Sequence, residues 1–384
     1  MNMNPLMIVL AGTAFAVLLL GAVLQRFRQP QIVTYLIAGI FLGPFGIGLM
    51  KDVELIESLG EGGVILLLFF LGMEMSLPRL IANWRVAIIG TSIQIGISVG
   101  IVILIGSWLQ WPAARSILLG FVISLSSTAV VIPLLQSRGE IDTPVGRDVI
   151  GVLLMQDLAV IPMLLVIGYM TDYSGHAGAG ILQVLGLVLF TGLMIYVARK
   201  RVIRLPFRKT LREDHELQVF AAFALCFGMA FLSATFGLST AVGALMAGFL
   251  ISSAKETEWV RTSLEPFRVL LVAFFFISVG MLLDLSFLRK SIGVVVILVA
   301  LTLVINTSIN SAMLRAHRRS WRNSWYGGAL LSQIGEFSFV LATVGYQAKM
   351  VSDFGYQATI ATIVLTMLVS TVWIASVRWF TKSR

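Results

Sequence analysis

Cysteine, histidine and charge are all scarce in this sequence of 384 residues. The single cysteine, Cys226, lies in an apolar segment, and the three histidines are scattered. A disulfide framework and a Cys-based metal site are therefore excluded, and no transition-metal site is expected. Charged residues make up 12% of the chain and hydrophobic residues 58%, which is more apolar surface than one soluble core hides. The composition predicts an all-α polytopic membrane protein.

Thirteen apolar runs are long enough to cross about 30 Å of hydrocarbon as helices. They cover roughly residues 6–24, 32–48, 55–72, 84–108, 114–136, 148–170, 179–198, 217–234, 237–253, 264–283, 288–314, 325–346 and 357–380. The first run has no basic flank before it and no small-residue cleavage site after it. We therefore expect a first transmembrane helix there and not a removed signal peptide.

Basic residues divide unevenly between alternate loops. With the N-terminus outside and the C-terminus in the cytoplasm, 23 of the 28 Lys and Arg residues lie inside, as the positive-inside rule requires. Topology thereby explains the net charge of +9. The basic stretch at 198–212 is expected to meet anionic lipid headgroups and not nucleic acid. The expected location is the inner membrane of a bacterial cell.

Thirteen spans divide naturally as six, one and six. A single crossing between two six-span units inverts the second unit, as in many secondary transporters. We expect a first six-helix repeat at 1–171, a connecting helix and basic cytoplasmic loop at 172–212, and an inverted repeat at 213–384. Short strings echo between the halves, such as LLLFFLGMEM (66–75) and VAFFFISVGMLLD (272–284), although strings of this kind also recur by chance.

The fifth span of each repeat carries a polar cluster at membrane depth. The clustered residues are Ser126, Ser127 and Thr128 in the first repeat and Ser332, Gln333 and Glu336 in the second. Unwound backbone is tolerated at this depth only where it is buried in protein or lines a watery cavity. Two helices broken at matching positions are therefore expected to cross near the midplane and form an ion site. For Ser124 alone, a bond to its own helix carbonyl is the favoured alternative.

The sixth span places Gln156 and Asp157 side by side inside the apolar run IGVLLMQDLAVIPMLL (150–165). A charged side chain at the bilayer centre costs about 2.5–3.5 kcal/mol on insertion scales, so an acid there favours function over packing. Competition between H⁺ and a cation for this one carboxylate is enough to couple their movements. The neutral Gln156 either coordinates the cation through its amide oxygen or orients Asp157.

Five stretches of the chain form an ordered set. They are YLIAGIFLGPFGIG (35–48), LFFLGMEMSLPRL (68–80), SLSSTAVVIPLLQSRGEIDTPVGRDVIGVLLMQDLAVIP (124–162), FFFISVGM (274–281) and SQIGEFSFVLA (332–342). This set resembles the monovalent cation:proton antiporter-2 family, and most closely the transmembrane part of Kef-type potassium efflux proteins. The resemblance covers nearly the whole chain. It implies an NhaA-like fold with crossed, broken helices, a mobile core domain and a dimerisation domain, and hence a homodimer.

The same resemblance implies that Gln156 and Asp157 form the ion-site pair. Gln followed by Asp is the pattern of Kef-type, electroneutral potassium exchange, whereas relatives with two adjacent acids look like electrogenic sodium exchangers. The expected function is alternating-access exchange of one K⁺ for one H⁺. A Na⁺/H⁺ antiporter is the alternative, and a cation channel is less favoured because no repeated carbonyl-filter signature occurs. No cofactor and no enzymatic activity are expected.

Two features depart from the family pattern. Many members carry a Lys in the eleventh span where this chain has Asn306, so the counter-charge of Asp157 stays open. If a second group titrates, Glu336 and Glu74 are the first candidates. Kef proteins continue into a cytoplasmic nucleotide-binding domain, and no Gly-rich fingerprint of one is present. No soluble regulatory domain is therefore expected in this chain, while a separate regulatory subunit stays open.

Overall fold

The computed structural model describes residues 5–26, 29, 31–50, 52–74, 85–170, short pieces between 182 and 196, 215–252 and 258–382. These segments are helices joined by turns and short loops, with one isolated antiparallel bridge between Ser126 and Ile334. Most of the predicted seventh span, and the basic loop that follows it, lie outside the described residues.

We number fourteen α-helices in the described segments. They are α1 Pro5–Arg26, α2 Gln31–Leu42, α3 Val53–Glu74, α4 Thr91–Trp108, α5 Ala113–Ser124, α6 Thr128–Ser137, α7 Pro144–Met170, α8 His215–Thr235, α9 Thr240–Ser252, α10 Glu258–Met281, α11 Leu285–Ala316, α12 Trp321–Leu330, α13 Phe337–Gln347 and α14 Asp353–Lys382. A π-helical turn, Arg85–Gly90, leads into α4. By length and composition, α4 with part of this turn, α7, α8, α11 and α14 are each able to cross a membrane. The count of thirteen spans stays a prediction.

The chain divides into two compact units, each built from separate stretches of sequence. The first unit comprises Met1–Ile56, Leu80–Asp157 and Phe276–Arg384, and the second comprises Glu57–Arg79 and Leu158–Phe275. The boundaries of these units differ from those of the predicted inverted repeats and connecting segment. The repeat plan itself stays a prediction.

The second unit packs α3, α8 and α9 at short range. Phe69, Cys226 and Ala244 are fully buried in its core. A Cβ at Gly72 would lie 2.2 Å from the carbonyl oxygen of Leu245, so the backbones of α3 and α9 approach closely. Small residues at helix contacts are typical of membrane proteins, because van der Waals packing, and not the hydrophobic effect, drives helices to associate within the membrane.

The core of the first unit lies among α6, α7, α11, α12 and α14. Val131, Leu153 and Leu330 are fully buried in it. At one end of this core, Asp148 accepts hydrogen bonds from Nε and Nη2 of Arg319 at 2.6 and 3.0 Å, and the bond to Asp148 raises the pKa of Arg319. This two-point pair fixes α7 to the turn between α11 and α12.

A close helix contact in the first unit predicts which glycine substitution destabilises it. A Cβ at Gly39 of α2 would lie 2.1 Å from the carbonyl oxygen of Ile277 and 3.0 Å from Cα of Gly280. Both are backbone atoms of α10, so the helices must separate. We expect Gly39→Ala to lower the free energy of unfolding by about 1–3 kcal/mol, measured by thermal unfolding in detergent.

Gly293→Ala in α11 is the matched control, because among the described residues no atom beyond the nearby backbone of its own helix lies within 4 Å of its added Cβ. Its stability is expected to equal or slightly exceed that of the wild type. Equal stability of the two variants would contradict the close α2–α10 contact.

Candidate ion-binding site

Two helices of the first unit are interrupted, and their breaks touch. The chain leaves α5 after Ser124 and re-enters a helix at Thr128, and it leaves α12 after Leu330 and re-enters at Phe337. The predicted interruptions of the fifth and twelfth spans are thus confirmed. In the contact, the backbone N–H of Gly335 donates to the carbonyl oxygen of Leu125 at 2.8 Å.

The contact between the breaks requires a residue without a side chain at position 335. A Cβ at Gly335 would lie 2.5 Å from the carbonyl oxygen of Ser126 and 3.1 Å from the backbone nitrogen of Ser127. Beside it, Ser126 and Ile334 form the isolated bridge. The two unwound segments therefore satisfy part of each other's backbone, as buried non-helical chain must at membrane depth.

Gln156 on α7 is fully buried and binds the first break from the side. Its Oε1 accepts a hydrogen bond from the backbone N–H of Ser126 at 3.0 Å, and its Nε2 donates to the carbonyl oxygen of Ser124 at 2.9 Å. Nε2 also donates to Oε1 of Gln94 at 3.1 Å, and Gln94 donates to the same Ser124 carbonyl at 3.0 Å. The amide of Gln156 thus replaces backbone hydrogen bonds that the broken helix lacks.

Two asparagines of α11 donate hydrogen bonds to backbone carbonyl groups at both breaks. Nδ2 of Asn306 donates to the carbonyl oxygens of Ile123 at 2.8 Å and Ser332 at 3.1 Å. Nδ2 of Asn310 donates to the carbonyl oxygen of Leu331 at 3.3 Å and to that of Asn306. An uncharged amide therefore stands where many relatives are expected to carry a Lys, and it joins α5 to the break that follows α12.

Hydroxyl groups make the remaining links between the two breaks. Oγ of Ser126 donates to the carbonyl oxygen of Leu331 at 2.8 Å. Oγ of Ser127 donates to Oε2 of Glu336 at 2.8 Å and also accepts from the backbone N–H of Val130, which makes Ser127 the N-cap of α6. Glu336 is therefore buried in the site as a hydrogen-bond acceptor.

Asp157, a residue of α7, contacts the first residue of α6. Oγ1 of Thr128, the first residue of that helix, donates to Oδ2 of Asp157 at 3.2 Å. Both side chains are half-buried, whereas Gln156 beside them is fully buried. A carboxylate near a helix N-terminus is stabilised by the helix dipole. The acid thus lies, only partly buried, at the point where the first helix is broken.

Several buried amide atoms near the breaks have no protein partner among the described residues. They are Oδ1 of Asn306, Oδ1 of Asn310, and both Oε1 and Nε2 of Gln333. Buried polar groups are normally hydrogen-bonded to protein or to ordered water. These atoms give the breaks further oxygen and nitrogen groups suited to bind ordered water.

The structure places most of the predicted site residues at the two breaks. Those brought together are Ser126, Ser127, Thr128, Gln156, Asp157, Asn306, Gln333 and Glu336. Ser332 contributes its carbonyl, while its hydroxyl bonds back to Ala329. Ser124 bonds back to Phe121 at 2.8 Å, which confirms the alternative favoured for it. The side chain of Glu74 lies outside the described residues.

Sequence reasoning missed Gln94 and Asn310. Gln94 stands alone between isoleucines in the fourth span, and Asn310 follows Asn306 by one helical turn. Each is a polar amide at membrane depth, which was the available signal, because such groups need a partner there. Among the described residues, no three His, Cys, Asp or Glu side chains are grouped to hold a metal ion.

Comparison with known families decides the class of this membrane protein. A family model described as the transmembrane sodium/hydrogen exchanger matches residues 13–379. The chain belongs to this family of monovalent cation:proton antiporters. It is therefore an integral membrane cation/proton antiporter, and the resemblance drawn from the ordered motifs is confirmed.

The relatives differ in the ion that their names give. The iron transporter MagA of Paramagnetospirillum magneticum is 36% identical, covering 98% of this chain and 86% of that protein. The potassium-efflux protein KefC of Escherichia coli is 30% identical over 89% of this chain, and K(+) efflux antiporter 1 of Arabidopsis thaliana chloroplasts is 32% identical over 80%. The chain spans 56% of KefC and 27% of the plant antiporter.

Solved structures agree on the fold. The sodium proton antiporter MjNhaP1 of Methanocaldococcus jannaschii superimposes with a TM-score of 0.66, covering 98% of this chain and 99% of that chain at 19% sequence identity. A second MjNhaP1 structure gives a TM-score of 0.62 at 18% identity. The all-helical antiporter fold expected from the motifs is confirmed at this level.

Replacing the amide of Gln156 is expected to destabilise the protein, and this effect is measured without a transport assay. In Gln156→Leu, the buried N–H of Ser126 loses its acceptor and Oε1 of Gln94 loses its donor, while the carbonyl of Ser124 keeps its bond from Gln94. Each buried polar group that is left without a partner costs about 1–3 kcal/mol. We expect a loss of at least this size in the free energy of unfolding, measured in detergent.

Gln136→Leu on α6 is the matched control, since Gln136 is exposed, and its stability is expected to stay close to that of the wild type. If Gln156→Leu is as stable as this control, the amide does not hold the break.

Proposed function

We propose that this antiporter exchanges one K⁺ for one H⁺ in each cycle, by alternating access, with Asp157 carrying either ion in turn. The single observation that carries the proposal is the half-buried carboxylate of Asp157, bonded to Thr128 at the break of α5 and α6. Na⁺ in place of K⁺ is the alternative. The names of KefC and of the plant antiporters favour K⁺, and that of MjNhaP1 supports Na⁺.

The Thr128 hydroxyl suits both loaded states of the site. A hydroxyl has one donor and two acceptor positions, so Thr128 donates to the ionised carboxylate and accepts from the protonated one. Its oxygen is also available as a cation ligand, together with Asp157. The pair therefore tolerates the exchange of a proton for a cation without leaving a buried group unsatisfied.

Neutral groups around the breaks support the one-to-one stoichiometry. The side-chain donors to the interrupted carbonyls include Gln156, Gln94 and Asn306, and none of these changes charge with pH. The amide oxygen of Gln156 already accepts the Ser126 N–H, which favours a positioning role over direct coordination. With Asp157 as the only group that gains and loses charge, each half-cycle moves one positive charge.

The assembly and orientation belong to the same proposal. We propose a homodimer in a bacterial inner membrane with the C-terminus in the cytoplasm, because the basic loops then lie inside. Since the chain matches only 56% of KefC, a cytoplasmic regulatory domain or subunit of the Kef kind is also a proposal for this protein.

Removing the charge of the carrier tests the proposal directly. Asp157→Asn keeps the side-chain volume and a polar contact to Thr128, so we expect the protein to fold while cation-dependent proton release falls to background. The measurement is fluorescence of a pH-sensitive dye in proteoliposomes, with K⁺, Na⁺, Rb⁺, Li⁺ and Fe²⁺ supplied in turn. Fe²⁺ is included because of the name of the 36% identical relative.

Asp142→Asn, in the exposed turn before α7, is the matched control and is expected to exchange like the wild type. Proton release at the wild-type rate in Asp157→Asn would show that Asp157 is not the carrier and would overturn the proposed mechanism. If Fe²⁺ were the only cation to cause proton release, cation/proton exchange would stand, but the proposal of a monovalent cation would be wrong.

Electroneutral exchange gives a second expected result. A membrane potential is worth about 2.3 kcal/mol per charge at 100 mV, and it leaves the equilibrium ratio of ions untouched when equal charge moves in both directions. We therefore expect the reversal point to follow the K⁺ and pH gradients alone. The measurement is a proteoliposome reversal assay, with the potential set by an ion that the protein does not transport.

A reversal point that shifts with voltage would show that a second group titrates. Glu336→Gln and Glu74→Gln then identify that group, since the responsible variant returns to voltage independence. Gln156→Asp approaches the same question from the other side, because a second acid in the pair either makes exchange electrogenic or abolishes it by repulsion.

A further inference from the structure

Two adjoining cavities lie at one end of the first unit, away from the helix breaks. The larger, of about 1240 Å³, runs along Trp321, Arg322, Trp325, Trp379, Phe380 and Thr381. The smaller, of about 410 Å³, is lined by polar and apolar surface in nearly equal shares, and its polar side chains include Glu140, Thr143, Ser320, Arg322, Arg378 and Thr381. Arg322 and Thr381 belong to both. An apolar groove therefore continues directly into a polar cavity.

Aromatic rings dominate the apolar groove. Trp321, Trp379 and Phe380 are each more than half exposed, and Trp325 is 38% exposed. The rings of Trp379 and Phe380 meet edge to face, with centroids 4.9 Å apart. Amphipathic aromatic side chains of this kind concentrate at the membrane–water interface, where one end is apolar and the other wet. The groove thus has the surface that a lipid acyl chain contacts.

The polar cavity is formed around the N-terminus of α12. Ser320 caps this helix, and Arg322 lies exposed in its first turn. The one acid in the lining, Glu140, is already matched, because it accepts from Nη2 of Arg378 at 2.6 Å and from the hydroxyl of Tyr326. The charge of Arg322 and the dipole of α12 then favour an anion in this cavity.

Further positive charge surrounds the same end of the unit. Residues 315–322 contain four arginines and no acid. Arg319 is held by Asp148, and the guanidinium of Arg315 lies over the ring of Trp321, 5.4 Å from its centroid. These contacts fix the basic segment against aromatic rings, so that its charge lies beside the groove.

We propose that the two cavities hold one anionic glycerophospholipid, with its phosphate at Arg322 and the first turn of α12 and one acyl chain along the aromatic groove. The order of the surfaces, polar and basic first and aromatic next, matches the order of headgroup and chain in such a lipid. The predicted orientation places this end on the cytoplasmic side, where anionic lipids attract basic segments. None of the lining residues belongs to the basic stretch at 198–212.

Native mass spectrometry of the full chain tests the proposal. The protein is stripped of lipid in detergent and titrated with phosphatidylglycerol or phosphatidylcholine of equal chain length. We expect tighter binding of phosphatidylglycerol, weakened about fivefold in Arg322→Gln, since one basic side chain near an anionic headgroup contributes on that scale. Trp379→Ala is expected to weaken binding as well, and Arg322→Lys to retain it.

Arg147→Gln and Trp108→Ala are the matched controls, because both side chains are exposed and neither lines the cavities. Both are expected to bind lipid like the wild type. An equal loss in Arg147→Gln would show diffuse attraction to a basic surface and overturn the proposal. Equal affinity for phosphatidylcholine would overturn it too, as would displacement of the lipid by millimolar glycerol 1-phosphate, which would indicate a site for free phosphate.

Discussion

The rest of the site depends on hydrogen bonds from uncharged side-chain amides to the backbone of two interrupted helices. Where α5 and α12 end inside the first unit, their last carbonyl groups have no helical partner, and a bare carbonyl at that depth costs free energy. Gln156, Gln94 and Asn306 supply the missing donors. Because these donors carry no charge, they hold the breaks together without neutralising an acid. In the function proposed above, the charge of Asp157 is thereby left for the transported ion.

This arrangement also explains why Gln156 and Asp157 are adjacent and yet differ in burial. Position 156 lies toward the broken helix, where an amide must both donate and accept. Position 157 lies beside Thr128, the first residue of α6, and is half-buried. An acid at position 156 would lose the donor that the Ser124 carbonyl uses and would bring a second charge into a buried place. The neutral group at position 156 is thus required by the broken helix, while the acid at position 157 has a different partner.

Much of the site followed from the sequence, because polar residues in apolar spans are few and each needs a reason to be there. The clusters around Ser126 and Glu336 predicted the two breaks, and the role of Asp157 as carrier stays a prediction. The contacts across the breaks did not follow, since Ser126 and Leu331 are 205 positions apart and no local pattern pairs them. Gln94 was missed because a single amide in a long apolar helix gives no periodic signal. The two units were missed because each is assembled from separate stretches of the chain.

Direct counting of protons released per bound cation tests the central claim most closely. Isothermal titration calorimetry of K⁺ binding to the purified protein, repeated in buffers with different ionisation enthalpies, gives that number without transport or a membrane potential. At a pH where the empty site is protonated, the account predicts one proton released for each K⁺ bound in the wild type, and no release from Asp157→Asn. Binding of K⁺ with no proton released by the wild type would contradict it, because the cation and the proton would then not share one carboxylate.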